Sequence, residues 1–287
     1  MDVFLQTLVT GISDATLFVM LSLGLTLMFG VLGVVNLAQG DFMTVAAYVG
    51  VAVVGLGMGP VLALGAMVPA LAVLAVIFYY GVIRPTAGRN HENQLLATFG
   101  CAFLLQGLIQ AVWGPDPKAA RQSGAAWGLG GVSIPHDVAR NLLVAVVAVA
   151  LLWMLLNRSR VGRQIRAMSQ DPVGAELLGI NTSRIGLIAA IVACALTAVG
   201  GVILLSISNL SPTTGYSLIL SAFAVVIVGG LGSLWGTVAA SLILGFATEL
   251  VATYVGSGYT SLVTFVAIVV VLLARPQGLA GSAVIAR

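Results

Sequence analysis

The sequence predicts an all-α, polytopic membrane protein, and three observations predict it. The 287-residue chain is 60% hydrophobic and only 7% charged, with a mean hydropathy of +1.11, whereas soluble domains run near a quarter charged. Apolar runs of spanning length recur along the whole chain, and a helix crosses a bilayer with about 20 apolar residues. The charges are bunched: of 12 basic and 9 acidic side chains, seven fall within residues 158–184. Such a chain has too little polar surface to cover a soluble globule. One membrane domain over 1–287 is therefore expected, with no room for a soluble one. The net charge of +3 comes from arginines at the membrane surface and does not imply nucleic acid. Cys101 and Cys194 sit in apolar runs and are expected to pack, not to pair. The opening MDVFLQTLVTGISD lacks a basic stretch, so a native first helix is expected to insert.

Taken in order, the spans are expected at about 9–30, 35–57, 61–83, 94–113, 138–157, 185–207, 236–255 and 259–274. That makes about eight transmembrane helices. A shorter apolar piece, 218–230, runs directly into GGLGSLWG, so a broken or re-entrant segment is expected near 218–235. Gly and Pro punctuate the ends, as at Gly57-Met58-Gly59-Pro60, Arg84-Pro85, Asp171-Pro172, Ser211-Pro212 and Arg275-Pro276.

The basic residues orient the set. Arg84, Arg89, the five arginines of 158–184, Arg275 and Arg287 fall on one side; Lys118, Arg121 and Arg140 fall on the other. The positive-inside rule puts the first group in the cytoplasm, the N-terminus outside, and the 114–137 loop outside, where Trp113 and Trp127 suit a membrane interface.

Three motifs stand out. GVLGVVNLAQGDFM, residues 30–43, brings Asn36, Gln39 and Asp41 into an apolar setting, followed by Phe42. Asn36 could cap a helix with Asp41 in its first turn, or Gly33 and Gly40 could bend the chain so that these polar groups line a path. The second motif is the polar island, RSRVGRQIRAMSQDPVGAELLGINTSR at 158–184. Its middle, from Ala167 to Ile180, is expected to form a short amphipathic helix across the membrane surface. Asp171 is at the N-cap, Pro172 in the first turn and Gly179 at the stop, with Ala175, Leu178 and Ile180 on an apolar side and Glu176 on a polar one. The third motif is AFAVVIVGGLGSLWG, where Gly229, Gly230 and Gly232 allow close helix approach or free backbone groups to face a cavity. Packing is the commoner use. The glycine-rich breaks at 30–43 and 226–238, one in each half, hint at an inverted repeat.

Asp14, Gln94, Gln106, Gln110 and Glu249 fall in or near spans, with Glu249 expected near the outer interface. His91 and His136 stand alone in loops, so no metal site is expected. No phosphate-binding loop, H-E-x-x-H or G-x-S-x-G occurs, so neither an ATPase nor a hydrolytic centre, and no cofactor, is expected.

Together the motifs GVVNLAQGDFM, IRAMSQDPVGAELLGIN and AFAVVIVGGLGSLWGTVAASLILG resemble the permease subunits of branched-chain amino-acid ABC importers of the LivH/LivM type, closer to the LivH branch. The resemblance runs over nearly the whole chain and implies an inverted-repeat ABC permease architecture. It implies a second permease subunit of the LivM type, two ATP-binding cassette subunits and an extracytoplasmic substrate-binding protein. It also implies that Ala167 and Asp171 through Ile180 contact the ATPase and that Asn36, Gln39, Asp41 and Phe42 lie near the translocation path. Gln39 stands where the family commonly has His, and Trp235 where it commonly has Pro or Ile. Importers of urea or short amides share this permease type and are the alternative. An ion-coupled secondary transporter using Asp14, Asp41 or Glu249 is the other.

Overall fold

The computed structural model describes residues 2–88, 90–118, 126–129, 132–207, 209–275 and 277–280; Arg89, Arg121, Pro276 and Arg287, read above for orientation or punctuation, lie outside them. In chain order the elements are α1 (Asp2–Leu32), α2 (Gln39–Gly55), α3 (Pro60–Phe78), a π-helical turn (Tyr79–Ile83), α4 (Arg84–Thr86) and α5 (His91–Trp113). A hairpin follows, β1 (Ala126–Leu129) antiparallel to β2 (Val132–Pro135). Then come α6 (His136–Arg158), α7 (Arg160–Gln170), α8 (Pro172–Leu177), α9 (Thr182–Ile207), α10 (Thr214–Gly229), α11 (Leu234–Tyr254), a 3-10 turn (Ser257–Tyr259) and α12 (Thr260–Ala274).

The centre is a pair of long antiparallel helices, α1 and α9. Gly200 packs against Met20, Gly24 against Ala193 and Thr197, and Gly186 against Leu32. The hydrophobic faces of both helices run all the way round, which suits burial on every side. Helix α11 lies antiparallel along α1, with Gly245 against Ala15, the Thr26 and Thr237 hydroxyls 2.8 Å apart, and Gly232 beside Gly30. Helix α3 packs along the other flank of α9. Much of α5, α6 and α12 stays exposed and apolar, as lipid-facing helices are: Phe103, Leu104 and Leu108, then Leu143, Val146 and Leu151, then Phe265, Val269 and Leu273.

These pairings form an inverted repeat. Helices α1, α2 and α3 correspond to α9, α10 and α11: α1 packs on α11 as α9 packs on α3. Equivalent boundaries recur about 175 residues apart, Leu32 with Ile207, Gln39 with Thr214, Pro60 with Leu234. Because α1 and α9 run in opposite directions, the two units are upside down relative to each other. The glycine-rich breaks at 30–43 and 226–238 are therefore not counterparts. Residues 34–40 correspond to 209–215, and the turn at 230–233 corresponds to the glycine-rich turn before Pro60. Glycine content marks a turn locally; helix order decides which turns are equivalent.

Among the described residues, seven helices are long and apolar enough to cross a membrane; Gln39–Gly55 and Thr214–Gly229 are shorter. The expected span 35–57 is thus a non-helical lead-in followed by a 17-residue helix. The segment expected to be broken near 218–235 is an unbroken helix as far as Gly229, and its irregular backbone lies before Thr214 and across 230–233.

Candidate functional site

At the heart of the repeat the first turns of α2 and α10 touch. Gly40 lies against the carbonyl of Gly215, and Gly215 against the backbone of Asp41, so neither position has room for a Cβ. The chain reaches this point from opposite ends of the bundle, because Leu32 and Ile207 end antiparallel helices. The two lead-ins, 33–38 and 209–213, are the non-helical parts of otherwise spanning segments. Such backbone is tolerated at membrane depth only where protein or a cavity satisfies it.

Side chains do that here. Thr98 of α5 holds the first lead-in: its hydroxyl contacts the Val35 carbonyl (3.3 Å) and accepts the Leu37 N–H (3.4 Å). Asn36 turns the chain, its Oδ1 accepting the Ala38 N–H (3.0 Å) and its Nδ2 donating to Gln39 Oε1 (2.8 Å). Gln39 Nε2 donates to Thr197 Oγ1 (2.5 Å), whose hydroxyl donates to the Ala193 carbonyl (2.9 Å). Asp41, in the first turn of α2, accepts from Gln106 Nε2 of α5 (2.9 Å). Phe42 meets Phe78 edge to face at 5.0 Å. On the second lead-in, Ser211 N–H donates to Thr214 Oγ1 (2.9 Å), starting α10.

All four residues expected near a path, Asn36, Gln39, Asp41 and Phe42, are buried in this one junction. Asn36 does not cap α2; Ala38 occupies that position without a side-chain cap, and Asn36 makes its turn two residues earlier. The partners Thr98, Thr197 and Gly215 were not foreseen. Thr-Thr-Gly after Ser211-Pro212, ahead of a 16-residue apolar helix, was the available signal for Gly215. Gly229, Gly230 and Gly232 lie elsewhere. Gly229 packs on Gly236, while Gly230 (φ 98°) and Gly232 (φ 82°) form the turn into α11. Their geometry is that of close packing and a left-handed turn.

The polar island forms a second site at the opposite surface from the hairpin. It is not one helix but two, α7 and α8, separated at Asp171, whose backbone is extended. Ser159 starts α7, its Oγ accepting the Gly162 N–H (2.8 Å), and Arg166 donates to the Leu156 carbonyl at the end of α6. Ile165 and Met168 anchor α7 on the bundle. Asp171 caps α8, its Oδ1 accepting the Gly174 N–H (2.9 Å), and Pro172 follows in the first turn. Gly179 (φ 82°) ends it: Gly179 N–H reaches the Glu176 carbonyl (2.9 Å) and Ile180 N–H the Ala175 carbonyl (3.0 Å), the paired bonds of a Schellman stop. Asn181 then caps α9 through the Arg184 N–H (2.9 Å).

The apolar side of α8 differs from the expected one. Ala175, 3% exposed, and half-buried Ile180 face the bundle, whereas Val173, Leu177 and Leu178 project outward at 69%, 84% and 82% exposure. The 6→1 bond folds Ile180 back over Ala175 and leaves Leu178 on the far side. Glu176 is exposed beside them and Ala167 is half-buried. Asp171→Ala should cost α8 about 0.5–2 kcal/mol through the lost cap. Faster amide exchange over 174–178, restored in Asp171→Asn, is the expected reading; unchanged exchange would show that the cap is dispensable.

The chain thus forms a bundle with a buried, discontinuous centre and a surface element packed against α1, α6 and α9. The profile of the family described as "Branched-chain amino acid transport system / permease component" matches residues 7–273. The chain belongs to this family. The LivH permease of the high-affinity branched-chain amino acid transport system of Escherichia coli (strain K12) is 28% identical over 295 residues, covering 97% of this chain and 96% of that one. The BraD permease of Pseudomonas aeruginosa is 28% identical with the same coverage. The solved structure of PsaBC from Streptococcus pneumoniae in complex with Fab shares the fold, with a TM-score of 0.53 at 14% identity, covering 96% of this chain and 93% of that one. This permease is a multi-pass protein of the inner or plasma membrane; among its described residues every named element but the small hairpin is helical. Among its described residues no group of three or more His, Cys, Asp or Glu could hold a metal ion.

Proposed function

We propose that this permease is one of the two membrane subunits of an ATP-driven importer of branched-chain amino acids, of the LivH branch, working beside a LivM-type subunit. Two ATPase subunits grip residues 167–180 from the cytoplasm, and an extracytoplasmic binding protein delivers substrate to the hairpin end. The observation that carries this reading is α8: a six-residue helix stopped at both ends, seated by Ala175, and presenting three apolar side chains to solvent. Val173, Leu177 and Leu178 form an apolar patch on an otherwise arginine-rich surface, the kind of patch that suits a partner. Nucleotide-driven closure of the ATPase pair would move α7 and α8 with the ends of α1, α6 and α9 on which they rest, as a rigid body. That motion reaches the Gly40–Gly215 contact through α1 and α9, which frame both lead-ins. Separation of the two half-helix starts opens the path, and Asn36, Gln39 and Asp41 line it.

The test is uptake into proteoliposomes holding the permease pair, the ATPases and the binding protein. Leucine, isoleucine and valine should accumulate with ATP and not with a proton or sodium gradient. Accumulation driven by either gradient without ATP would overturn the reading, and uptake of urea or short amides instead would overturn the substrate assignment.

A further inference from the structure

A second polar cluster sits at the hairpin end, where α6 begins and α9 ends. Arg140 Nη1 pairs with Asp137 Oδ1 at 2.7 Å, and Nη2 donates to Ser206 Oγ (2.6 Å) and Asn141 Oδ1 (3.3 Å). Asn141 is fully buried, yet among the described residues its Nδ2 has no hydrogen-bond partner, and neither has the buried Nε of Arg140. Native interiors rarely leave such donors unmade, and each one that persists calls for an acceptor. The two belong to side chains in contact, within the second turn of α6, whose N-terminal end favours negative charge. The Arg140 side chain is 24% exposed, so the cluster opens outward.

Its place in the fold gives the acceptor a role. Ser206 lies at the end of α9, just before the lead-in to Thr214 and Gly215. On that same lead-in Leu210 exchanges backbone hydrogen bonds with Lys118, another basic residue (2.8 and 2.7 Å). Basic residues thus flank the outer end of the second lead-in, whose inner end, Gly215, lies against Asp41.

We infer that Arg140 and Asn141 form a carboxylate-binding site at the outer mouth, which takes the α-carboxylate of an incoming amino acid. This rests on the transport reading above. A guanidinium matches a planar carboxylate, and Arg140 already pairs with the Asp137 carboxylate through Nη1. Asp137 holds the fork when no ligand is present and competes with the ligand for it.

The experiment measures binding of L-leucine, L-leucinamide and inorganic phosphate to the permease assembly in nanodiscs by calorimetry and thermal shift. Leucinamide lacks the carboxylate and should bind at least tenfold more weakly than leucine. Arg140→Gln should weaken leucine at least tenfold, Arg140→Lys less, and Asp137→Asn should tighten it several-fold by removing the competitor. A purely structural ion pair predicts lost stability in Asp137→Asn and no gain in affinity, so that variant decides the matter even if Arg140→Gln fails to fold. Equal binding of leucine and leucinamide would overturn the site, and phosphate binding as tightly as leucine would reassign it to a lipid headgroup. ATP-driven uptake by the unaltered assembly is run in parallel. Its failure sinks the transport reading, whereas intact uptake with no effect of Arg140→Gln on binding sinks this site alone.

Discussion

Gly40→Val should abolish transport and lower the thermal midpoint of the permease, while Gly107→Ala should do neither. A Cβ at Gly40 would run into the carbonyl of Gly215, and one at Gly215 into the backbone of Asp41. Backbone cannot swing aside as the end of a side chain does. The starts of α2 and α10 must then part, and with them the lead-ins tied by Asn36, Gln39 and Thr197. Overpacking of this kind costs about 1–3 kcal/mol where side chains can yield, and more where they cannot. Gly107 has open space around it on α5, and alanine there gains about 1 kcal/mol of helix propensity. Uptake and thermal unfolding of the purified variants are the measurements. Wild-type values for Gly40→Val would mean the half-helix contact is not part of the working structure.

The second large effect belongs to α8. Leu177→Asp combined with Leu178→Asp should reduce uptake and stimulated ATP hydrolysis by at least tenfold while insertion and fold are kept. Both side chains are almost fully exposed, so the folded permease loses little. A partner that covers them would have to bury two carboxylates. Central apolar anchors of interfaces are worth about 2 kcal/mol or more, and each 1.4 kcal/mol is tenfold in affinity. Leu177→Met with Leu178→Met keeps the apolar surface and should retain uptake. Co-purification of the double-aspartate variant with its ATPase at wild-type yield would remove α8 from the coupling interface.

Some of this was legible residue by residue. Asp171, Pro172 and Gly179 are local signals, each acting on its own few residues, and all three do in space what their chemistry suggests. Asn36 shows the limit: an Asx turn and an N-cap use the same side-chain oxygen two residues apart, and sequence does not choose between them. The apolar side of α8 was misjudged because helical periodicity stops at the Schellman turn, which sends Ile180 and Leu178 to opposite sides. The glycine-rich breaks at 30–43 and 226–238 do not pair because glycine-rich turns look alike wherever they fall.

Composition and charge placement, by themselves, determined that this chain lies in a bilayer and which end of the bundle carries most of the arginines; the count of spanning helices, expected at about eight, is seven with two shorter helices among the described residues. Those properties are sums over local stretches. Which helices are central and which lie at the periphery was decided only in three dimensions, since α1 and α12 have nearly the same hydropathy and nothing in a run of leucines and valines records its neighbours. The junction of Gly40 with Gly215 was decided there too. It joins residues about 175 positions apart through a missing side chain on each, and an absent Cβ leaves no mark in sequence beyond the letter G.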